Sequence, residues 1–224
     1  MKTQTPVPNA RRIQESLLAP LERRCLLWMA ARLPDRVNSD HLTLIGFLSL
    51  GLAGLAYYLS QWNPLCLHAV NLFILTNWFG DSLDGTLARY RNRQRPRYGY
   101  YVDHILDSFG AILIVSGLAL SGYMSERIAL AFLVALFLAL INTFLMTHVL
   151  DEFRISFWKL SPTELRLVLI GGNLFLFSRP HVTVLGTAYP LFDIGAMVGI
   201  VVLTVVVVAS SLLTIRKLYL LEPL

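Results

Sequence analysis

The sequence predicts an all-α integral membrane protein, and three observations support that prediction. Of the 224 residues, 55% are hydrophobic and only 15% are charged, whereas soluble domains carry about 25% charged residues. Six apolar stretches approach or exceed the roughly 20 residues that cross a bilayer core. Lys and Arg residues cluster at those ends of the stretches that would face the same side of the membrane. We therefore expect six transmembrane helices preceded by an amphipathic interfacial helix.

The six predicted spans occupy residues 38–224 and form one transmembrane domain. Residues 1–37 are interpreted as a cytoplasmic N-terminal segment. The fifth span is the shortest of the six. In chain order the spans run from about His41 to Gln61, Pro64 to Tyr90, Tyr98 to Gly122, Glu126 to Leu150, Pro162 to Phe177, and Pro190 to Ile215.

The segment from Ile13 to Leu33 has the pattern of an amphipathic helix. Leucines, Trp28 and Met29 alternate there with Glu22 and two arginines. Such a pattern is typical of a helix that lies in the membrane interface. The alternative is a soluble helix packed on the cytoplasmic face of the bundle.

The distribution of positive charge predicts the orientation. Of the 19 Lys and Arg residues, all but Arg127 and Arg179 fall at ends that share one side of the membrane when both termini are cytoplasmic. Cytoplasmic loops carry an excess of Lys and Arg. We therefore expect cytoplasmic termini, in a bacterial inner membrane or an endomembrane. The net charge of +5 is accounted for in this way, and no nucleic-acid partner is expected.

Small residues recur at four-residue spacing in the fourth span, at Ala131, Ala135 and Ala139. Small residues allow helices to pack closely. The stripe is a weak indication of packing either within the bundle or between two copies in a homodimer.

Four aspartates stand near the ends of the second and third spans, at Asp81, Asp84, Asp103 and Asp107. Charged side chains in membrane helices are costly, at about 2.5–3.5 kcal/mol each on insertion scales. With 3.6 residues per turn, each pair lies on one face of its helix. Because the two spans are joined by a short loop, we expect the two faces to meet at the cytoplasmic end.

Four carboxylates at one place need a compensating charge. Hard oxygen ligands suit Mg²⁺ or Mn²⁺, and two divalent ions would balance four aspartates. Paired metals commonly clamp a phosphate that undergoes displacement. The small residues Gly85, Ala88 and Gly99 leave room beside the metals, and Arg89 is placed to pair with a diphosphate. The alternative is that the aspartates form salt bridges with the loop arginines.

This segment resembles the signature of the CDP-alcohol phosphotransferase, or CDP-alcohol phosphatidyltransferase, family. The signature reads DxxDGxxAR followed after a short gap by GxxxDxxxD, and every specified position is present. The six-span layout with an amphipathic leader also resembles that family. The matching residues are Asp81, Asp84, Gly85, Ala88, Arg89, Gly99, Asp103 and Asp107.

The resemblance implies a reaction for the transmembrane domain. A CDP-linked donor binds at the motif, an acceptor hydroxyl attacks the phosphorus distal to cytidine, and CMP leaves, in phospholipid biosynthesis. The acceptor is a lipid or a polar alcohol. By position, Asp81, Asp84 and Asp103 resemble metal ligands, and Asp107 resembles a ligand, the general base, or both. The nucleotide and diphosphate site would comprise Asp84, Gly85, Ala88, Arg89 and Gly99.

Further features resemble the choline/ethanolamine phosphotransferase branch. They are the Asp103–His104 pair and Glu164 at the start of the fifth span, which that branch suggests for acid/base roles. His104 lies at the edge of the aspartate face, and Ser161-x-x-Glu164 is also a helix capping box, so structural roles remain open for both. Asp40 stands where the family often has Asn, which questions one nucleotide contact.

Two other functions fit part of the pattern. Intramembrane prenyltransferases also bind diphosphates through Asp-rich helices, but their motifs lie many helices apart. Divalent-cation transporters carry intramembrane carboxylates, usually near the midplane. Arg154, Lys159 and Arg166 are candidates for binding an anionic acceptor or lipid headgroup, or they belong only to the charge bias across the membrane.

Overall fold

The computed structural model describes residues 19–150, 162–184 and 186–222. Within these ranges the chain forms seven helices and one β-hairpin. The elements are α1 (Ala19–Ala30), α2 (Ser39–Leu59), α3 (Cys66–Tyr90), α4 (Pro96–Leu120), α5 (Glu126–Leu150), α6 (Pro162–Leu176), β1 (His181–Val184), β2 (Thr187–Pro190) and α7 (Leu191–Leu221).

Helices α2 to α7 follow the six predicted spans, with boundaries within two residues except at the end of α7. Among the described residues, four helices are long and apolar enough to cross a membrane, namely α2, α4, α5 and α7. The chain is therefore a multi-pass helical membrane protein. Helix α6, at 15 residues, is shorter than the roughly 20 that a bilayer requires, and α3 is not among the four. The arrangement of six full spans remains a prediction.

The helical architecture agrees with the predicted all-α class, and the segment between α6 and α7 adds a β-hairpin that was not predicted. Strands β1 and β2 pair antiparallel there, with Val182 opposite Tyr189 and Thr183 opposite Ala188. Gly186 has a φ of +85° at the turn, a conformation that glycine adopts without steric cost. The β-branched residues of β1 suit an extended backbone.

Helix α1 packs on the bundle through one face. Its Leu26 and Ala30 are buried in a cluster with Leu42 of α2 and with Leu83 and Leu87 of α3. Leu27 and Trp28 remain exposed on the other side, as an amphipathic helix requires. The predicted helix from Ile13 to Leu33 is described from Ala19 and ends at Ala30, three residues earlier than predicted, and residues 13–18 lie outside the described part.

Helix α2 is in backbone contact with both α3 and α4. A β-carbon on Gly80 of α3 would lie 2.5 Å from the Leu42 carbonyl oxygen, and one on Gly117 of α4 would lie 2.1 Å from the Gly54 carbonyl oxygen. Only glycine permits helices to approach this closely. The approach at Gly80 brings α2 against the residue that precedes Asp81.

A buried polar network attaches α6 to α2 and α3. The Tyr57 hydroxyl donates to Oδ1 of Asn173 over 2.7 Å, and Nδ2 of Asn173 donates to Oδ1 of Asn71 over 2.8 Å. Buried polar atoms are stabilised by such pairing. This network anchors the second half of α6.

The alanine stripe of α5 is partly used within one chain. Ala135 and Ala139 are buried, whereas Ala131 is exposed. Helix α5 packs against α7, and Nδ2 of Asn142 donates to the Ser210 hydroxyl over 2.8 Å. Packing within the bundle accounts for the two buried alanines, and the homodimer remains a prediction.

Candidate active site

Asp84 is held between α2 and α3. It is 6% exposed, and its Oδ2 accepts a hydrogen bond of 2.6 Å from the Thr43 hydroxyl of α2. Its Oδ1 accepts the backbone N–H of Gly85. These two contacts fix the orientation of the carboxylate, as hydrogen bonds to metal-binding carboxylates commonly do.

Asp81 is paired with a cation from α6. Nη2 of Arg166 lies 2.6 Å from Oδ2 of Asp81, and Nε of Arg166 donates to Oδ1 of Asn77 over 2.9 Å. Nδ2 of Asn77 donates in turn to the Gly46 carbonyl over 3.1 Å. The aspartate therefore belongs to a network that joins α2, α3 and α6.

Three of the four aspartates line one small cavity. Its volume is about 20 Å³, enough for a single water-sized occupant. The structure thus brings both halves of the Asp-rich segment together, as the helical spacing predicted. The lining residues are Thr43, Gly46, Phe47, Leu50, Asn77, Asp81, Asp103, Leu106 and Asp107.

The chemistry of this cavity fits a hard divalent cation. Asp81, Asp103 and Asp107 supply oxygen ligands of the kind that Mg²⁺ and Mn²⁺ prefer, and Asp84 is joined to the lining residue Thr43. Within the described ranges, no three acidic, His or Cys side chains are already arranged to hold a metal ion.

A larger cavity of about 420 Å³ opens between the start of α2 and the α3–α4 loop, and its lining residue Ala88 stands one turn after Asp84 on α3. Its rim carries several arginines, so it suits an anionic ligand. Of the residues predicted for the nucleotide, Ala88 lines it. The full lining is Asn38, Ser39, Asp40, Leu87, Ala88, Arg91, Arg93, Gln94 and Arg95.

The other predicted nucleotide residues lie outside that lining. Nη2 of Arg89 donates to the Thr86 hydroxyl over 3.2 Å. A β-carbon on Gly85 would lie 3.3 Å from Nη1 of Arg89, so Gly85 makes room for this guanidinium. A β-carbon on Gly99 would meet no heavy atom within 4 Å.

Asp40 has a partner that the sequence did not reveal. Its carboxylate pairs with Arg95 of the α3–α4 loop, and the Arg95 guanidinium lies 4.2 Å from the centre of the Tyr98 ring. The residue that departs from the family pattern therefore ties this loop to the start of α2 at the rim of the larger cavity.

Arg91 has a structural role. Its guanidinium donates to the carbonyl oxygens of Val37, Leu33 and Pro34 at 2.5, 2.8 and 3.0 Å. These bonds satisfy the backbone of the corner between α1 and α2. Arg91, which the sequence analysis considered only as part of the charge bias across the membrane, thus also stabilises the fold.

His104 packs between α4 and α5. Its Nδ1 lies 2.7 Å from the Tyr100 carbonyl oxygen, and its ring centre lies 4.2 Å from that of Tyr100 and 5.2 Å from that of Phe144. His104 lines neither cavity. The contacts of the described atoms favour a packing role.

Glu164 is half-buried in the first turn of α6 and also lines neither cavity. Its predicted capping partner Ser161 lies outside the described residues, as do Arg154 and Lys159. Arg166, the third cation considered for binding an anionic acceptor or headgroup, is described and contacts Asp81 of the motif.

Sequence reasoning missed Thr43 and Asn77 as parts of this site. Asn77 stands four residues before Asp81, hence on the same helix face, and this spacing was a usable signal. Nothing local predicted the Thr43 contact, because it depends on how α2 crosses α3.

Comparison with known proteins agrees with the motif. The CDP-alcohol phosphatidyltransferase family model matches residues 37–215, well over half of the chain. The chain belongs to the CDP-alcohol phosphatidyltransferase family. This confirms the resemblance at family level and the enzyme class that it implied.

One relative is a phosphatidylinositol phosphate synthase of Cutibacterium acnes (strain DSM 16379 / KPA171202). It is 37% identical over 90 residues, which cover 40% of this chain and 41% of the relative. The match therefore spans about two fifths of the length of that relative. The narrower resemblance to choline/ethanolamine phosphotransferases gains no support from it.

Proposed function

We propose that this protein transfers a substituted phosphate group from a CDP-linked donor to an acceptor hydroxyl, with release of CMP, in phospholipid biosynthesis. The observation that carries the proposal is the convergence of Asp81, Asp103 and Asp107 on one small cavity in a chain of this family. Membership of a family that is generally metal-dependent supports a metal-assisted mechanism.

The four aspartates of the motif would hold Mg²⁺ or Mn²⁺, and two such ions would balance the charge of the four carboxylates. They are Asp81, Asp84, Asp103 and Asp107. When bound, such ions neutralise charge on the diphosphate and orient it. The hydrogen bond from Thr43 holds Asp84 toward α2, and Arg166 of α6 pairs with Asp81. Both carboxylates are thereby oriented before a donor binds.

The cytidine diphosphate part of the donor would occupy the larger cavity. Its volume of about 420 Å³ lies within the usual range of ligand pockets, about 300–1,000 Å³. Ala88 lines it, and Arg93 in its lining supplies positive charge. Gly85, Arg89 and Gly99 are proposed to complete the diphosphate side through local adjustment.

Asp107 is the favoured general base. It lines the small cavity together with the proposed metal ligands, whereas His104 and Glu164 do not. The carboxylate would take the proton of the acceptor hydroxyl as that oxygen attacks the phosphorus distal to cytidine. The bond from phosphorus to the CMP oxygen then breaks.

Two donor arrangements remain in competition. CDP-diacylglycerol with a polar alcohol is favoured because the names of the family and of the relative both refer to a phosphatidyl group. Arg166 beside Asp81 also offers a cation to an anionic acceptor. The alternative, CDP-ethanolamine or CDP-choline with a lipid hydroxyl, rests on the Asp103–His104 pair and Glu164.

The site is proposed to face the cytoplasm, with both termini on the same side. The arginines of the α3–α4 loop, at the aspartate end of the bundle, support this orientation. The membrane would be a bacterial inner membrane or an endomembrane.

A donor panel tests the proposal. Purified protein in lipid micelles with Mg²⁺ or Mn²⁺ is given CDP-diacylglycerol, CDP-ethanolamine or CDP-choline with matching acceptors, and CMP and lipid products are measured by mass. Formation of CMP with one donor supports the proposal. Release of pyrophosphate from a prenyl diphosphate would indicate a prenyltransferase, and metal flux in proteoliposomes without any CDP compound would indicate a transporter.

A further inference from the structure

Glu22 of α1 binds donors from two other helices. Its Oε1 accepts hydrogen bonds from Nε1 of Trp78 over 2.9 Å, from the Thr163 hydroxyl over 3.0 Å and from the Ser82 hydroxyl over 3.4 Å. Hydrogen bonds to a charged acceptor are stronger than neutral ones. This carboxylate therefore joins α1, α3 and α6 at one point, without lining either cavity.

The point of contact lies next to the aspartates. Trp78 and Ser82 are four residues apart on α3, with Asp81 between them in sequence. On α6, Thr163 stands one turn before Arg166, the residue that pairs with Asp81. Glu22 thus holds the first turn of α6 against the part of α3 that carries the motif.

The two ends of α6 are anchored separately. The Asn173 network fixes the second half of the helix, whereas in the first half Thr163 binds Glu22 of α1 and Arg166 binds Asp81 of α3. Loss of the Glu22 contacts would therefore loosen the first turn without freeing the whole helix.

Helix α6 reaches the motif through the contact of Arg166 with Asp81. The lining of the larger cavity comes from α2, α3 and the segments beside them, and α6 contributes nothing to it. If the donor nucleotide occupies that cavity, the acceptor must reach the reacting phosphorus from elsewhere. Arg166, one turn after Thr163 on α6, lies at Asp81 and is placed to meet it.

We infer that Glu22 is a positioning residue for the acceptor side of the site. It acts by holding the first turn of α6 against α3, so that Arg166 stays at Asp81. This inference rests on the proposed function, because it assigns the acceptor side of the same reaction.

The first test separates the two substrates kinetically. Glu22→Ala should raise the KM for the acceptor about tenfold, as expected for loss of a charged hydrogen-bond hub, while the KM for the CDP-linked donor changes less than about twofold. Glu22→Gln keeps an oxygen acceptor and should restore most of the acceptor affinity. Arg24→Gln, at an exposed position on the same helix, is the matched control and should behave like the wild type.

A general loss of stability would give a different pattern. It would lower kcat by reducing the number of active molecules and leave both KM values unchanged. Glu22→Ala with that pattern, or with equal changes in both KM values, overturns the inference while leaving the proposed function intact. Absence of CMP release by the wild type with every donor overturns both.

A second test needs no activity. Thermal unfolding in detergent is compared for Glu22→Ala, Thr163→Val and the double variant. If the carboxylate binds Thr163, each single change lowers Tm and the double variant unfolds at nearly the Tm of Glu22→Ala alone, because contacting residues are not additive. Additive losses would overturn the contact on which the inference depends.

Discussion

The Arg166 guanidinium lies 2.6 Å from the Asp81 carboxylate and so joins α6 to the Asp-rich face of α3. Their side chains are only 15% and 33% exposed, so the pair is partly shielded from water. The contact explains how a proposed metal ligand is kept oriented at the edge of a membrane bundle. It also gives α6, the shortest of the predicted spans, a place in the site.

We expect Arg166→Gln to destabilise the protein because it leaves Asp81 without this cation. Loss of a hydrogen bond to a charged group typically costs about 1.5–3 kcal/mol. Thermal unfolding in detergent measures the effect, and Arg23→Gln at an exposed position of α1 is the control. If the two variants unfold at the same temperature, the pair contributes nothing to stability.

We expect Asp84→Asn and Asp103→Asn to lower CMP formation by at least about a hundredfold, because metal-assisted charge stabilisation contributes several kcal/mol. Both variants should still insert into the membrane, since the substitution keeps the size of the side chain. The matched control is Asp35→Asn, whose side chain is fully exposed near the same end of the bundle. Full activity of either site variant would refute the metal assignment.

The choice of base is decided by a pair of variants. Asp107→Asn should abolish turnover, because general-base catalysis contributes about 10²–10⁴-fold to the rate. His104→Ala should lower the activity by less than about tenfold. The reason is that Asp107 lines the small cavity and His104 packs on Tyr100 and Phe144. Loss of turnover in His104→Ala, with normal folding, would move the base to His104.

Removal of divalent ions should stop the reaction reversibly. A chelator is expected to abolish CMP release, and added Mg²⁺ or Mn²⁺ should restore it, because the donor set is made of hard oxygen ligands. CMP release is measured against free metal concentration. Persistence of the activity at vanishing free metal would contradict a metal-assisted mechanism.

A change at Gly80 should disturb the site through the backbone. In Gly80→Ala the new β-carbon would lie 2.5 Å from the Leu42 carbonyl oxygen and 2.7 Å from the Gly46 nitrogen. Overpacking of this kind costs about 1–3 kcal/mol, so both Tm and CMP release should fall. Gly171→Ala on α6, where a β-carbon meets nothing within 4 Å, should leave Tm nearly unchanged.

Hydropathy and helical period were enough to predict the helices and the meeting of the aspartate pairs. Both signals are local, and α5 even begins and ends at the predicted residues. The hairpin was missed because four-residue strands leave little periodic signal.

The partners of the aspartates could not be predicted in the same way. The Arg166–Asp81 pair depends on how α6 packs against α3, and a cation near a helix end is equally well explained by the charge bias across the membrane. His104 and Glu164 are the opposite case. Their positions in the sequence suggested acid/base roles, but tertiary packing places both outside the linings of the two cavities.

The close approach of Gly54 and Gly117 has a consequence for the response of the protein to bilayer thickness. Because main chain touches main chain there, α2 and α4 cannot slide past each other to match a thinner or thicker hydrocarbon layer. Hydrophobic mismatch is relieved by tilting or by local bilayer deformation, and the 31-residue α7 is the helix with length to spare for tilting.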